Sequence, residues 1–429
     1  MKIVNVGLIG FGTIGSGVVR ILSQNQNEIL QRTGIRINLK MIADIDIKRD
    51  RGIKVDKNKL TTDAQQLLRD PEIDIIIELI GGTRKAKEFI ITALKNGKNV
   101  VTANKALLSQ YADVIFRTAY RHNKQIAFEG SVGGCIPIIK VLRESLVGNR
   151  IKRIMGIVNG TTNFILTKME ERNLEFHKAL ELAQEMGFAE ADPSLDVSGE
   201  DAAHKLQILA SYSFHCNIRY KDIYFEGIEK IDLSDIRYVK ELGYKIKLLA
   251  ITKDCGDNEI ECRVHPTLIP ESYLLSSVKD EFNAIYVIGE ATGPQIFYGK
   301  GAGALPTASA IIADIVDIAK NERPFFTKRF FNTNAKISVR DMKKIRCRYY
   351  LRIHTYDQPG VLAKVAGILG QYDISISSVI QKELGQKLVP IVMLTHQAVE
   401  ENLREAIRKI RKLKFIKGVP KIIRIEDVF

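Results

Sequence analysis

The sequence predicts an α/β protein: a doubly wound parallel sheet first, then an α+β domain, then a smaller domain of βαββαβ order. Three observations support this order. Short apolar runs alternate with helical patterns through residues 1–136, as in a parallel sheet covered by helices. A glycine-rich turn joins the first strand to the first helix. After residue 346 the pattern becomes strand, helix, two strands, helix and strand, which is a ferredoxin-like order.

The glycine-rich turn follows the first predicted strand, Ile3–Ile9, and precedes a helical pattern that runs to about Leu30. It reads Gly10, Phe11, Gly12, Thr13, Ile14, Gly15. In this motif the first glycine permits the turn, the second admits a pyrophosphate and the third lets helix and strand pack closely. A plain strand–turn–helix unit is the alternative, but the position of the hexamer favours a dinucleotide site of the Rossmann type.

The second predicted strand, from Ile37 to Ala43, ends in Asp44. An acid at this position accepts the ribose hydroxyls of NAD in such folds. Three basic residues follow closely, and they suit the 2′-phosphate of NADP instead: Lys48, Arg49 and Arg51. Asp44 is also compatible with a simple turn residue. The sequence therefore predicts NADP or NAD as cofactor and leaves the choice open.

The parallel pattern continues with a strand at 73–78, a helix at 84–96, a strand from Val100 and a strand at 125–128. Ligands bind at the carboxyl ends of such strands. The residues predicted at those ends are Gly81, Gly82, Asn104, Lys105 and Glu129. Lys105 is expected to face the nicotinamide and the substrate, although a surface lysine opening a helix has the same pattern.

A middle domain is predicted from a strand at 151–158, the sequence Asn159–Asn163, and a helix to about Glu171. Further strands are expected at 260–269 and 284–289. The turn at 298–306 contains Gly301 and Gly303, and an apolar helix follows to Ala319. Such glycines allow close approach to a ligand, and the helix could pack back onto the first domain. The sequence of this turn is equally compatible with a flexible loop that binds no ligand.

An acidic segment before a predicted helix carries the strongest chemical signal. Its acids are Glu190, Asp192 and Asp196, and the helix that follows carries Asp201 and Lys205. Ser198 is a suitable N-cap, and four-residue spacing places Asp201 and Lys205 on one helix face. Ile208, Leu209 and Tyr212 continue that face, so Lys205 is predicted to point inward as a proton donor or substrate clamp. Capping and an ordinary helical ion pair are the simpler interpretation.

The C-terminal pattern has a strand at 348–354, a turn at Asp357–Gly360, a helix to about Tyr372 and strands at 374–382 and 389–394. A basic amphipathic helix is predicted over Arg404–Lys417, before a last strand at 421–426. We therefore divide the chain into residues 1–136, 137–320, a linker at 321–345, and 346–429.

The composition suits globular domains. The chain has 429 residues, 45% of them hydrophobic and 27% charged, which favours two or three domains. We find no apolar run long enough for a bilayer and no signal peptide. The cysteines are Cys135, Cys216, Cys255, Cys262 and Cys347. Their odd number and lack of a C-x-x-C pair favour a reducing cytoplasm.

The formal net charge is +14. Residues 340–429 contain 18 Lys and Arg against 9 Asp and Glu. The predicted basic helix suggests nucleic-acid or membrane contact. A solvated helix face is preferred because no stacking aromatics accompany it, so we expect no membrane partner and regard nucleic acid as an unfavoured one.

Five motifs together resemble homoserine dehydrogenase with a C-terminal ACT domain, over essentially the whole chain. They are G-F-G-T-I-G at 10–15, V-V-T-A-N-K at 100–105, E-G-S-V-G-G at 129–134, N-G-T-T-N-F at 159–164 and G-F-A-E-A-D-P-S-L-D-V-S-G-E-D-A-A-H-K at 187–205. The last is highly specific for the family. D-Q-P-G at 357–360 is a less specific opening of an ACT domain.

The resemblance implies reversible NAD(P)-dependent interconversion of L-homoserine and L-aspartate 4-semialdehyde, in threonine, methionine and isoleucine biosynthesis. It implies that Lys205 is the proton donor and that Lys105 assists. It also implies substrate contacts at Glu190, Asp201, Asp196 and Thr161, and cofactor contacts at Gly187, Gly301 and Gly303 besides the glycine turn.

The resemblance further implies a sodium ion held by Glu129 and the carbonyls of Val132, Gly134 and Ile136. Cys135 stands where the family usually has glycine, which puts the backbone there in question. An amino-acid effector, most simply L-threonine, is expected at Asp357, Gly360 and Val361. ACT domains usually pair, so a homo-oligomer, dimer or tetramer, is expected.

Two other functions are compatible with parts of the sequence. Cys135 after a Rossmann half suggests an aldehyde dehydrogenase with a cysteine nucleophile, although the only histidine close to it in sequence is His122, which precedes it. A sensor or nucleic-acid-binding protein would use the ACT unit and the basic helix. The ordered acid–lysine segment at 187–205 argues against the sensor or nucleic-acid-binding function.

Overall fold

The computed structural model describes residues 1–321, 337–382 and 387–427. They form two compact units, each assembled from segments distant in sequence. The first comprises Met1–Gly160, Ala202–Ile223 and Phe282–Ile337, and the second comprises Thr161–Asp201, Tyr224–Glu281 and Ser338–Phe429. Most of the predicted linker, residues 322–336, lies outside the described residues.

The strands are β1 (Lys2–Ile9), β2 (Ile35–Ala43), β3 (Leu60–Thr61), β4 (Ile75–Glu78), β5 (Asn99–Thr102), β6 (Ile126–Ala127), β7 (Ile151–Ile157), β8 (Tyr224–Phe225), β9 (Tyr244–Asp254), β10 (Glu259–Pro270), β11 (Phe282–Gly289), β12 (Gly293–Lys300), β13 (Ser338–Val339), β14 (Arg346–Tyr356), β15 (Ile376–Gln381), β16 (Leu388–Thr395), β17 (Ala398–Val399) and β18 (Ile416–Ile425). The helices are α1 (Thr13–Gln24), α2 (Gln26–Thr33), α3 (Ala64–Arg69), α4 (Arg84–Lys95), α5 (Lys105–Arg121), α6 (Ile138–Lys140), α7 (Gly160–Arg172), α8 (Phe176–Glu185), α9 (Ser194–Val197), α10 (Glu200–Ser213), α11 (Leu233–Glu241), α12 (Ala304–Lys320), α13 (Val361–Gln371) and α14 (Glu400–Ile410).

The first unit contains the predicted doubly wound sheet, with strand order β3-β2-β1-β4-β5-β6. All its neighbouring strands pair in parallel. The order changes direction at β1, between β2 and β4, so the carboxyl end of β1 is the topological switch point where ligands bind in this architecture. The Rossmann-type prediction is confirmed.

The first helical region differs from its prediction, because it is two helices rather than one. α1 ends at Gln24, and Asn25 leaves the helical conformation with φ −112° and ψ 15°. Asparagine competes for backbone hydrogen bonds and so favours helix ends. The apolar helix α12 packs against α1, burying Ala308 and Ile315 in one core with Val18. Gly17 permits this approach, since a Cβ there would lie 2.4 Å from the carbonyl oxygen of Ala304.

The first unit also contains a separate antiparallel group of strands, in which β11 pairs with both β7 and β12. The predicted strands at 151–158 and 284–289 are therefore present. β12 ends at Lys300, and the turn with Gly301 and Gly303 leads into α12.

The second unit contains a mixed sheet of order β9-β10-β18-β14-β16-β15. Its C-terminal part has the predicted order β14-α13-β15-β16-α14-β18, with a core that includes Tyr349, Val365, Met393 and Leu403. The ferredoxin-like prediction is confirmed. β18 also pairs in parallel with β10, matching Thr267 with Arg424, so the C-terminal strand extends a sheet begun by β9 and β10.

The basic helix predicted over Arg404–Lys417 is wrong in its bounds. α14 begins at Glu400 and ends at Ile410, and Ile416 already pairs with Thr355 of β14. Ile410 is the last buried residue of the helix. From Ile416 the chain pairs with β14 as a strand. In the described part of the chain, no helix has the length and apolarity needed to cross a membrane.

Candidate active site

The glycine turn at the end of β1 is shaped for close backbone approach. Gly10 has a φ of 103°, and a Cβ there would lie 2.6 Å from the Leu79 carbonyl. A Cβ at Gly15 would lie 2.2 Å from the Gly10 oxygen, whereas one at Gly12 would meet nothing within 4 Å. Gly12 and Thr13 are exposed at the start of α1. The turn is therefore closed on the protein side and open where a phosphate meets a helix N-terminus.

Asp44 lies beside this turn and is held by it. Its carboxylate accepts the N–H of Phe11 at 2.6 Å and that of Asp46 at 2.8 Å. The Arg51 guanidinium lies 3.3 Å from the same carboxylate, donates to the Phe11 carbonyl and lies 4.6 Å from the centre of the Phe11 ring. Lys48 and Arg49 are exposed. Arg51 therefore offsets part of the negative charge of Asp44.

Glu78 and Asn104 organise the carboxyl ends of β4 and β5. Glu78 is fully buried, and its carboxylate accepts from the Thr102 hydroxyl at 2.6 Å. Burial raises the pKa of Glu78 to about 7. Asn104 caps α5 by accepting the N–H of Leu107 at 3.0 Å, which places the half-buried Lys105 in the first turn of that helix. Sequence reasoning missed a role for Glu78, although an acid that ends an apolar strand is a usable signal.

Glu129 is buried after β6, and its carboxylate lies against the first turn of α6. Its two carboxylate oxygens accept the N–H groups of Ile139 and Lys140, each at 2.8 Å. Its own N–H donates to the Asp314 carboxylate at 2.9 Å. Burial raises the pKa of Glu129 to about 7. Burial, and then the charge of Glu129, raise the pKa of Asp314 well above its usual range. Sequence reasoning missed Asp314, although an acid within the apolar pattern of α12 could have identified it.

The backbone of the turn after Glu129 accommodates a cysteine at position 135. Positive φ values occur at Gly133 (70°) and Gly134 (58°), and Cys135 is not among the residues with positive φ. A Cβ at Gly134 would lie 2.6 Å from the carbonyl carbon of Gly301. Glycine is therefore needed at 134 but not at 135. Cys135 is exposed, with its sulfur 3.4 Å from the Lys300 carbonyl oxygen.

In the second unit, the start of α7 contacts the segment after α8. The Thr161 hydroxyl donates to the Phe188 carbonyl at 2.6 Å, and the rings of Phe164 and Phe188 lie 4.8 Å apart. Gly187 has a φ of 74°, and both Gly187 and Glu190 are exposed. Thr161 and Glu190, both expected at the substrate, thus belong to two segments joined by a direct hydrogen bond.

α10 carries the acid and lysine predicted to share a face. Ser198 accepts the N–H of Glu200 at 3.4 Å before the helix. Asp201 and Lys205 are both buried, and the Lys205 ammonium donates to the Val158 carbonyl at 2.6 Å. Ile208, Leu209 and Tyr212 are buried on the same face, so Lys205 points inward as its helical spacing predicts. Asp196 is partly buried at the end of the preceding helix, α9.

The predicted residues are divided between the units. The first unit contains Gly10–Gly15, Asp44, Lys105, Glu129, Val132, Gly134, Ile136, Lys205, Gly301 and Gly303, and the second contains Thr161, Gly187, Glu190, Asp196, Asp201, Asp357, Gly360 and Val361. Gly360 has a φ of 85° and caps α13, whose first residue is the buried Val361. Asp357 is exposed, with the Gln381 amide 3.4 Å from its carboxylate.

The parallel sheet and the glycine turn of the first unit define a class of enzyme, the oxidoreductases that use a nicotinamide dinucleotide. Family models described as homoserine dehydrogenase, NAD binding domain, and as homoserine dehydrogenase match residues 10–129 and 137–316, and one for the ACT domain matches 349–415. The chain belongs to the homoserine dehydrogenase family, and it is an oxidoreductase acting on a CH–OH group.

Relatives support this assignment over the full length. The homoserine dehydrogenase of Neisseria gonorrhoeae is 43% identical over 100% of both chains, and that of Bacillus subtilis is 38% identical over 99% of both. A crystal structure of homoserine dehydrogenase from Thiobacillus denitrificans has a TM-score of 0.93 at 42% identity, covering 100% of this chain and 99% of that one. A hyperthermophilic archaeal homoserine dehydrogenase in complex with NADPH has a TM-score of 0.63 at 28% identity, covering 74% of this chain and 98% of that one. The cysteine-dependent aldehyde dehydrogenase and the nucleic-acid-binding sensor considered above are thereby excluded as the chain's function.

Proposed function

We propose that this chain interconverts L-homoserine and L-aspartate 4-semialdehyde with NAD(P) as cofactor, within threonine, methionine and isoleucine biosynthesis. The observation that carries the proposal is Lys205, a buried ammonium on α10, one helical turn after the buried Asp201. A buried lysine beside an acid is suited to hold and deliver a proton.

Each residue has a defined chemical task in this proposal. The cofactor, when bound, supplies or accepts the hydride. Lys205 gives a proton to the aldehyde oxygen, and its hydrogen bond to Val158 at 2.6 Å fixes its ammonium. Lys105 stabilises negative charge that develops on that oxygen. The carboxylates of Glu190, Asp196 and Asp201, with the Thr161 hydroxyl, hold the substrate's ammonium and hydroxyl.

The residues present fit a nicotinamide dinucleotide. The open face of Gly12 and the N-terminus of α1 suit the pyrophosphate. Asp44 suits the ribose, and Arg51 supplies a cation beside it. Because each charge partly offsets the other, we expect the enzyme to use both NADP and NAD. Gly187, Gly301 and Gly303 complete the proposed cofactor contacts.

A sodium ion also fits the turn after Glu129. Carboxylate and carbonyl oxygens are the ligands that hard cations prefer, and this turn offers Glu129 with the carbonyls of Val132, Gly134 and Ile136. Glu129 and Asp314 place two buried carboxyl groups together, and a nearby cation would stabilise their ionised forms.

We also propose that an amino acid, most simply L-threonine, binds near Asp357, Gly360 and Val361 and inhibits the enzyme. The αL cap at Gly360 and the exposed Asp357 support this site. A homo-oligomer, dimer or tetramer, and a cytoplasmic location remain our expectations from the sequence.

The test is NAD(P)H oxidation with L-aspartate 4-semialdehyde by the wild type and by Lys205→Ala. We expect turnover in the wild type and a loss of about 10²–10⁴-fold in kcat in the variant, the usual contribution of a general acid. Lys178→Ala, at an exposed lysine of α8, is the control and should match the wild type.

Activity that survives Lys205→Ala would move the proton transfer to Lys105 or to water. An absence of turnover with either cofactor in the wild type would contradict the proposed function itself.

A further inference from the structure

Lys247 is a buried lysine of β9 that the reaction above does not use. Its ammonium donates to the Asn163 side-chain oxygen at 3.0 Å and to the Val278 carbonyl at 2.5 Å. Burial lowers the pKa of Lys247 to about 8. Burying an ammonium is unfavourable unless good hydrogen bonds compensate, and an apolar side chain of similar length would fill the same space. Stability alone therefore gives no reason for a lysine here.

Asn163 lies in the first turn of α7 and connects Lys247 to the 278–280 segment. Its amide nitrogen donates to the carbonyls of Val278 at 3.3 Å and Asp280 at 2.9 Å. Thr167, one turn further on, donates to the Asn163 carbonyl at 2.7 Å and accepts the N–H of Asp280 at 3.2 Å. These bonds attach the start of α7 to a segment distant in sequence.

The same turn of α7 also contacts the acidic segment. Thr161 donates to the Phe188 carbonyl, and Phe164 packs on the Phe188 ring. Glu190, proposed above to receive the substrate's ammonium, is two residues after Phe188. The first turn of α7 therefore lies between Lys247 on one side and the segment bearing Glu190 on the other.

We propose that Lys247 and Asn163 are positioning residues for the amino-acid substrate. They hold the first turn of α7, and through Thr161 and Phe188 they set the location of Glu190. The proposal rests on the proposed function, because it takes Glu190 as a substrate contact. None of the contacts involves Gly10–Gly15 or Asp44, and Gly187, the proposed cofactor contact before Phe188, makes none of these bonds. We therefore expect the effect on cofactor binding to be small.

The first test is Lys247→Met, assayed with L-homoserine and NADP in the oxidative direction. Removing a charged hydrogen-bond donor is expected to raise KM for L-homoserine about ten- to a hundred-fold. KM for NADP should stay within about twofold of the wild-type value. The fall in kcat should be smaller than the rise in KM for L-homoserine, because the bound substrate and the transition state lose the same contact.

The matched control is Lys245→Met. Lys245 is on the same strand and face two residues earlier, and its ammonium lies 3.6 Å from Glu170 near the other end of α7. It should leave both KM values near those of the wild type. A rise in both KM values together in Lys247→Met, or no rise in either, would overturn the proposal.

A second variant keeps the proposal testable if Lys247→Met does not fold. Asn163→Asp has the same shape and keeps an acceptor for Lys247, but it cannot donate to Val278 and Asp280. We expect the same selective rise in KM for L-homoserine, and equal changes for substrate and cofactor would contradict the proposal. A wild type without homoserine turnover would count against the proposed function, whereas an active wild type with unselective variants would count against this inference alone.

Discussion

At the residue scale, we expect cofactor choice to depend on two side chains rather than one. The acid at the end of β2 would normally favour NAD, because its charge repels a 2′-phosphate. In this chain Asp44 also accepts an N–H from Phe11 and lies 3.3 Å from Arg51. The sequence showed both residues but could not show that they are paired.

Replacing Arg51 should therefore shift the preference toward NAD. In Arg51→Met the carboxylate of Asp44 loses its cation, and a 2′-phosphate loses an attractive charge. We expect the ratio of kcat/KM for NADPH over NADH to fall about tenfold or more, the size of one lost charged hydrogen bond. Arg69→Met, at an exposed site on α3, is the control, and a ratio that stays constant or rises in Arg51→Met would disprove the assignment.

Glu129 allows a direct test of the sodium proposal. At pH 8 and constant ionic strength, replacing choline chloride by sodium chloride should raise the midpoint of thermal unfolding, because an ion that binds only the folded state stabilises it. In Glu129→Gln the two salts should give the same midpoint. An equal sodium effect in both proteins would remove Glu129 from the site.

At the scale of elements, the junction of β10 with β18 is held by a buried ion cluster. The Glu426 carboxylate accepts hydrogen bonds from Lys253 at 2.6 Å and from Arg263. Glu426 and Arg263 are almost completely buried, and Lys253 is slightly more exposed. Burial alone would raise the pKa of Glu426, but the charges of Arg263 and Lys253 lower it to about 2. His265 lies 2.7 Å from Arg263, and burial lowers its pKa, so it remains neutral.

Glu426→Gln should strongly destabilise the protein, because it leaves Arg263 buried without its main partner. Breaking such a pair costs about 3–5 kcal/mol, which urea unfolding at pH 7 would measure. The folded-state pKa of Glu426 is below its ordinary 4.5, so its stabilising contribution is complete above pH 4.5 and is lost as pH falls toward 2.

The variant should therefore lose less stability than the wild type on acidification. Glu405→Gln on α14, which removes a pair with the exposed Arg408, should cost less than about 1 kcal/mol. Parallel acid profiles in the wild type and Glu426→Gln would show that the cluster does not behave as described.

At the scale of the whole molecule, the C-terminal ACT domain shares a sheet with strands of the middle of the chain. Thr267 of β10 pairs with Arg424 of β18, and Thr267 also pairs with Lys247 of β9. A continuous hydrogen-bonded sheet thus joins the ACT domain to β9, and a ligand that alters the ACT domain has a physical connection to that strand.

We therefore expect L-threonine to bind the full-length protein in calorimetry and to inhibit homoserine oxidation. Asp357→Ala should weaken binding about tenfold, since a charged hydrogen bond to the ligand's ammonium is lost. Gln371→Ala, at the exposed end of α13, should bind normally. Calorimetry without heat from L-threonine or another amino acid would contradict the effector site.

Local patterns in the sequence were sufficient for much of this protein. The glycine turn, the parallel sheet and the βαββαβ order each show in patterns of neighbouring residues, and periodicity reveals which face is buried. Lys205 could be placed inward for the same reason. The break at Asn25 and the end of α14 were missed, because helical periodicity alone does not show where a helix ends and a turn or a strand begins.

The tertiary structure alone decided which distant residues meet. Glu129 with Asp314, Glu426 with Arg263, and Lys247 with Asn163 are 185, 163 and 84 residues apart. A charged residue has the same letter in the sequence whether it is solvated or buried, and its burial becomes favourable only when a particular distant partner is present. The sequence by itself therefore determined the family, most of the elements and most of the candidate residues, while the folded chain determined the pairings that set their charges and positions.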